Sequence, residues 1–260
     1  MHGRGSRRYF FPTIGVAGGG LSIAGRIQSI ETANLISYKI LGEASGTVAV
    51  DQINSAMNGT HNNVTLAQQG IGGYTSASYN GTTSNTLTYT AALAAAFNGA
   101  AGTIIAYAKP SGASIWTDGA ARYVRRLFAN SNNQIRIYKS TSNNTIYANY
   151  TAGGTSNDVS TTAFGGNTSW MFLAITWDKN SGATGEVKFY GNVSGTVAQI
   201  GTTQTSLGTW SGAIADNYTS IGSAATTPIA SPWSGLLQHM PIYTKALTLA
   251  ELQIIYGNGT

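Results

Sequence analysis

Apolar and polar residues alternate along most of this chain in short runs broken by Asn, Gly, Ser and Thr. The middle is clearest. The runs "ARYVRRLFA", "NQIRIYKS" and "TIYANYT" are separated by "NSNN" and "TSNN". Asn-rich turns between alternating runs predict consecutive antiparallel hairpins. In "NQIRIYKS", Ile135 and Ile137 share one face, and Arg136 and Tyr138 share the other, so one face is core and one is wet. In "SWMFLAITWDK", Met171, Leu173, Ile175 and Trp177 alternate with Phe172 and Ala174. Both faces are apolar, which predicts a central strand. "GEVKFYGN" resumes the alternation, with Val187 and Phe189 inward.

The flanks follow the same grammar. "LISYKI" reads as a first strand, "VAVDQINSAMNGTHNNVTL" as a polar stretch ending in a short run, and "SASYNG" as a strand entering an Asn-Gly turn. "TYTAALAAAFNG" has helical spacing and stops at Asn98-Gly99, which predicts a short helix or turn. "GTIIAYAKP" is a buried strand closed by Pro110, and "TSIGSA" and "SGLLQHMPIYT" are the last strands. Short strands at this spacing predict an all-β fold of two packed antiparallel sheets.

Composition agrees. Hydrophobic residues make up 42 % of the 260 residues and charged residues only 9 %, against about 25 % charged in an ordinary domain. Gly, Ser, Thr, Asn and Ala fill the gap, as expected of a sheet protein with a polar, uncharged surface and many turns. No cysteine is present, which excludes disulfides, zinc–thiolate sites and cysteine nucleophiles. No apolar run approaches the roughly 20 residues of a membrane helix.

The net charge is +5. Arg4, Arg7, Arg8 and Arg26 lie near the start, and Arg122, Arg125 and Arg126 form a second cluster read as solvated surface. Neither is a dense basic stripe with stacking aromatics, so nucleic acid is not an expected partner. Pro12, Gly15 and Gly18–Gly20 break the apolar part of the first residues, which argues against a signal peptide. Ordering so glycine-rich a segment costs entropy and calls for an anchor. "RRYFFP" is suited to anchoring, with Tyr9, Phe10 and Phe11 filling pockets while Arg7 and Arg8 meet acidic groups or phosphates, and Arg4 just before them, either on a partner or folded back on the arm's own domain. The expected division is an extended N-terminal arm over 1–34 and one sandwich domain over 35–260.

"WMFLAITWDKNSGATGEVKFYGN" and "IGSAATTPIASPWSGLLQHMPIYTKALTLAELQIIY" resemble the strand pair and the ending of the laminin-G-like, concanavalin A-like lectin/glucanase jelly rolls. The likeness runs from about Leu35 to Tyr256. It implies a jelly-roll sandwich whose final strand returns beside the first and closes the sheet. Thr248 and Glu251 have capping-box spacing for a short C-terminal helical turn, with Leu247, Leu252 and Ile255 packed as a lid.

Glucanases of this superfamily carry E-x-D-x-E on one strand, and hydrolysis needs two carboxylates in reach. The chain has nine acids and no such cluster. Its nearest pairs, Asp178 with Glu186 and Glu43 with Asp51, do not lie on one strand in that spacing, so no catalysis is expected. Relatives also imply calcium, for which Asp178 and Asp216 with Asn217 are candidates, against the simpler role of Asp178 as cap of the "DKNSG" turn. His2, His61 and His239 are too scattered for a metal set, and His239 reads as a packed or hydrogen-bonded surface residue.

Sugar binding needs exposed aromatics with amides and hydroxyls nearby. Trp116, Tyr123, Tyr138, Tyr147 and Tyr190 are the candidates, with Arg136 beside them, against ordinary cross-strand packing of tyrosines. Two functions follow as expectations. One is a non-enzymatic virion structural protein, a bacteriophage capsid decoration or fibre-type subunit docked through its arm on other protein subunits. The other is a secreted or cell-surface glycan-binding module.

Overall fold

The structure, a computed structural model, describes residues 20–257. Its elements in chain order are α1 (Ile23–Ser29), β1 (Leu35–Lys39), β2 (Val48–Ala49), β3 (Gly59–Asn62), β4 (Thr65–Gln69), β5 (Thr75–Asn80), β6 (Asn85–Leu87), α2 (Ala91–Ala96) and β7 (Ala101–Pro110). There follow β8 (Arg122–Asn130), β9 (Asn133–Lys139), β10 (Ile146–Ala152), β11 (Thr155–Thr161), β12 (Met171–Asp178), β13 (Glu186–Gly191) and β14 (Ala198–Thr205). The chain finishes with β15 (Ser220–Ile221), β16 (Ala225–Thr226), β17 (Ile229–Ala230), β18 (Ser234–Gln238), β19 (Met240–Tyr243) and α3 (Leu249–Tyr256).

Two antiparallel sheets pack face to face. One has nine strands, ordered β14-β13-β12-β7-β18-β5-β4, with β19 joining β7 to β1. The other has eight, ordered β11-β10-β9-β8-β15-β6-β3-β2. The core between them takes Ile104, Ala106, Leu173, Ile175, Trp177, Val187 and Phe189 from the first sheet, and Leu127, Ile135, Ile137, Ala148 and Tyr150 from the second. The fold is thus the nearly all-β sandwich that the alternation predicts. β12 is the central strand expected, because Met171 through Trp177 are all buried.

The outward half of β12 is buried for a separate reason. Phe172 and Ala174, with Ile105, Tyr107 and Tyr190, meet a second apolar layer supplied by Ala24 and Ile27 of α1 and Leu252 and Ile255 of α3. These two helices roof the nine-stranded sheet. The capping box is as expected: the Thr248 side chain accepts from the Glu251 N–H, and the Glu251 carboxylate accepts from the Thr248 N–H. The final strand does return beside the first, with Leu35 opposite Tyr243 and Lys39 opposite Met240.

Three readings change. Residues 20–34, expected as part of an extended arm, belong to the body. Ser22 caps α1, and Arg26 donates from Nε to the carbonyl of Ile255 at 3.0 Å and from Nη2 to that of Tyr256 at 3.2 Å. A cation there satisfies the orphan carbonyls at the C-terminal end of α3. Residues 1–19, with Arg4, Arg7, Arg8, Tyr9, Phe10 and Phe11, lie outside the described residues. Second, "SGLLQHMPIYT" is two strands, because His239 between them takes φ 50°; β18 then pairs with β5, and β19 with β1.

Third, the mid-chain arginines do not form one solvated cluster. A bulge between Tyr123 and Arg125 breaks the alternation of β8. Val124 and Arg125 are therefore both fully buried. Arg125 Nη1 donates across the sandwich to the carbonyl of Met240 at 3.2 Å, and burial lowers its pKa to about 10. Arg122 pairs with Asp118 at 2.6 Å, and only Arg126 joins the outer face of the sheet.

Candidate functional site

The hairpins β8–β9–β10 place like side chains in rows across the outer face of the eight-stranded sheet. Tyr123 lies opposite Tyr138, and Tyr138 opposite Tyr147. Their rings stack, with centroids 4.9 and 5.5 Å apart and planes inclined by 16° and 18°. The next row runs Arg126, Arg136, Asn149, Asp158. Arg136 donates from Nε to Asn149 Oδ1 at 3.0 Å and from Nη1 to the Tyr123 hydroxyl at 3.2 Å. Its guanidinium sits 5.0 Å from the centre of the Tyr138 ring. Asn149 Nδ2 in turn donates to Asp158 Oδ1 at 2.7 Å.

Arg126 is engaged on all sides. Nε and Nη2 donate to Gln134 Oε1 at 3.2 and 2.8 Å, and Nη1 donates to the Ala224 carbonyl at 2.7 Å. Its guanidinium lies 4.3 Å from the Phe128 ring centre and 5.3 Å from that of Tyr218. Rings on this face hold Arg126 and Arg136, and each arginine holds a hydroxyl or amide, so the surface is ordered before any ligand arrives. Burial raises the Tyr138 hydroxyl above its ordinary pKa, so it remains a donor at neutral pH. The face presents the half-buried rings of Tyr138 and Tyr147 and the guanidinium groups of Arg126 and Arg136, with Tyr123 (8 % exposed), Gln134 and Asn149 buried as their supports. That is the chemistry by which proteins hold sugar rings.

Of the six candidate sugar-binding residues, Tyr123, Arg136, Tyr138 and Tyr147 come together here. The other two do not. Trp116 is fully buried, with Nε1 donating to the Asn167 carbonyl at 2.7 Å, because it belongs to a turn folded into the core. Tyr190 lies on the opposite sheet, 5 % exposed in the roof layer. Arg126, Phe128, Gln134, Asn149 and Tyr218 belong to the face and were not among the candidates. Asn149 and Gln134 could have been found from hairpin register. Arg126 and Phe128 could not, because the bulge resets their phase.

Asp178 and Glu186 lie directly opposite each other on β12 and β13. They line a groove of about 400 Å³ with Tyr190 and residues 246–249. The arrangement does not suit hydrolysis. A general acid needs a raised pKa, whereas hydrogen bonds from Lys188 and Ser181 hold Glu186 below the usual carboxylate range. Asp178 accepts from the N–H of Asn180 at 2.8 Å, as the turn cap expected. Asp216 accepts from the N–H of Asn217 at 2.6 Å, and Asn217 Oδ1 accepts from Thr226 and Thr227. Among the described residues no three His, Asp or Glu side chains gather. This donor set does not fit the several converging carboxylates that calcium takes.

His239, read as a surface residue, is fully buried. Its Nδ1 lies 2.6 Å from the Tyr38 hydroxyl, and the rings of Tyr38, Tyr74 and Tyr107 enclose it at centroid distances of 6.0, 5.3 and 5.6 Å. Burial, with Arg26 nearby, pushes its pKa down to about 3, so it is a neutral packing group.

Known structures share this architecture. Domain 4 of AbnA, an extracellular arabinanase of Geobacillus stearothermophilus crystallised with arabinotriose, superposes with a TM-score of 0.59 at 18 % identity, over 85 % of this chain and 98 % of that one. The botulinum neurotoxin serotype D binding domain gives 0.60 at 14 % identity, over 90 % of this chain and 52 % of that one. A Trypanosoma rangeli sialidase gives 0.56 at 11 % identity, over 85 % of this chain and 32 % of that one. The chain thus spans about half the length of the botulinum binding domain it matches. At these identities the likeness is one of fold. Comparison with curated protein sequences finds no match. A family model described as the concanavalin A-like lectin/glucanases superfamily matches residues 80–253, from the last residue of β5 into α3. The chain belongs to that superfamily.

Proposed function

We propose that the protein is a non-enzymatic carbohydrate-binding module whose sugar seat is the tyrosine–arginine face of the eight-stranded sheet. The observation that carries this reading is the stack Tyr123–Tyr138–Tyr147, bordered by a row of arginine and amide groups. The arabinotriose complex of the AbnA domain supports it, as does a fold shared with receptor-binding domains of botulinum neurotoxins. The non-enzymatic part rests on the engaged carboxylates of Asp178 and Glu186. A module of this kind works outside the cell or on a surface that meets one. A glycan array that includes arabino-oligosaccharides tests the proposal. Signal is expected for the wild type and lost in Tyr138→Ala, with the fold intact by circular dichroism. A blank array, or signal indifferent to Tyr138→Ala, sinks it.

A second reading adds an assembly role for residues 1–19: the virion subunit, held on other protein subunits by Arg4, Arg7, Arg8, Tyr9, Phe10 and Phe11. It is favoured by the integration of residues 20–34 into the body, which completes the described sandwich without the basic, aromatic stretch before them. Deletion of residues 1–19 is expected to abolish particle attachment and leave the melting temperature unchanged. Attachment that survives the deletion argues against it.

A further inference from the structure

The helical roof leaves the end of the nine-stranded sheet uncovered. A cross-sheet row there runs Lys109, Leu236, Ser78 over β7, β18 and β5. Half-buried Trp170 adjoins it, immediately before Met171, which pairs with Ala108. Over this row lies a groove of about 440 Å³, walled on its far side by residues 68–71.

That wall is rigidly placed. Fully buried Gln238 grips the loop: its Oε1 accepts from the Ile71 N–H at 2.9 Å, and its Nε2 donates to the carbonyl of Thr75 at 3.0 Å. Gly70 is required for this approach, since a Cβ there would lie 2.5 Å from both Gln238 Oε1 and the Tyr74 carbonyl. The groove is a preformed feature rather than a gap between mobile loops.

Its charge is uncompensated. The chain has nine side-chain carboxylates, all within the described residues. Glu31, Asp51, Asp118, Glu186 and Glu251 pair with lysines or arginines, and Glu43 with the His61 ring. Asp158, Asp178 and Asp216 bond amides. Lys109 therefore has no carboxylate side chain of its own chain as a partner. Trp170, Lys109, Gln68 and Gln69 line one cavity. The indole supplies a stacking surface, the ammonium a charge-assisted donor, and the amides further hydrogen bonds.

We propose that this groove is a second saccharide site, distinct from the tyrosine face, and that it takes an acidic sugar, a hexuronate whose carboxylate meets Lys109 while its ring packs on Trp170. The site does not depend on the tyrosine face being a sugar seat.

The test is calorimetric titration of the whole protein with an oligogalacturonate and, separately, with its methyl ester, which has the same rings without the charge. Binding of the acid is expected, with the ester weaker by about tenfold or more, the scale of one charged hydrogen bond. Lys109→Gln is expected to remove that preference and Trp170→Ala to weaken both ligands, while Trp170→Phe retains them. The titrations are repeated in the Tyr138→Ala background, so that failure here and failure of the tyrosine face are read separately. No binding of the acid, equal binding of acid and ester, or a preference for the acid that survives Lys109→Gln overturns the proposal.

Discussion

The outer faces of the two sheets start from the same grammar and end as different surfaces. Both arise from alternate residues of antiparallel strands. On the nine-stranded sheet the outward residues are Ile105, Tyr107, Phe172, Ala174 and Tyr190, and two helices cover them. On the eight-stranded sheet they are Tyr123, Arg126, Arg136, Tyr138, Tyr147 and Asn149, and no helix among the described residues covers them. An apolar outward row calls for a roof, because leaving it wet forfeits about 25 cal/mol per Å². A row of tyrosines and arginines stacks within itself and can face water. The comparison teaches that the outward residues decide which side of a sandwich is left to meet a partner.

The sharpest way to break this contrast is acid. The roofed side encloses a histidine, and the tyrosine face has none. Above pH 6.5 His239 is neutral whether the chain is folded or not, and its contribution to stability is fully present. Between 6.5 and about 3 the unfolded chain takes up the proton and the folded one does not, so stability falls as pH falls; below that this group adds no further change. The loss amounts to at most about 4–5 kcal/mol. Urea midpoints across this range should drop steeply in the wild type and less in His239→Asn, which tolerates the same left-handed backbone. Equal slopes would show that His239 titrates normally.

A smaller effect sharpens the contrast from the packing side. Leu252→Ala, in the roof, is expected to cost about 2–5 kcal/mol by opening a cavity. Tyr138→Ala, on the open face, removes a half-buried ring and should cost only about 0.5–1.5 kcal/mol for the lost aromatic contacts. Denaturant unfolding of the two variants side by side checks the order. A Tyr138 variant as damaged as the Leu252 variant would mean that the stack is a structural element rather than a surface held ready.

Much of this was legible in the chain. The strand patterns located β7 to β10, β12 and β13 but not the polar β11, and the double-faced apolar run identified β12 as central. Thr248 and Glu251 announced α3. What alternation could not supply were single-residue events. The bulge at Tyr123 and Arg125 sent one arginine into the core and brought the next to the outer face. His239 at positive φ split one apparent strand between two partners. Strands of two or three residues, such as β2, β6 and β16, are too short to show a period. Trp116 misled because an aromatic in a polar loop looks exposed until the loop folds inward. Lys109 and Trp170 sit far apart in sequence, and only the pairing of β7 with β12 shows that they share a groove.

The junction of α1 with α3, hooked by Arg26, has a practical corollary for presentation. The polypeptide enters and leaves its folded body on a single flank, the one bearing both helices. A tether joined close to either helix therefore approaches from the side opposite the tyrosine row.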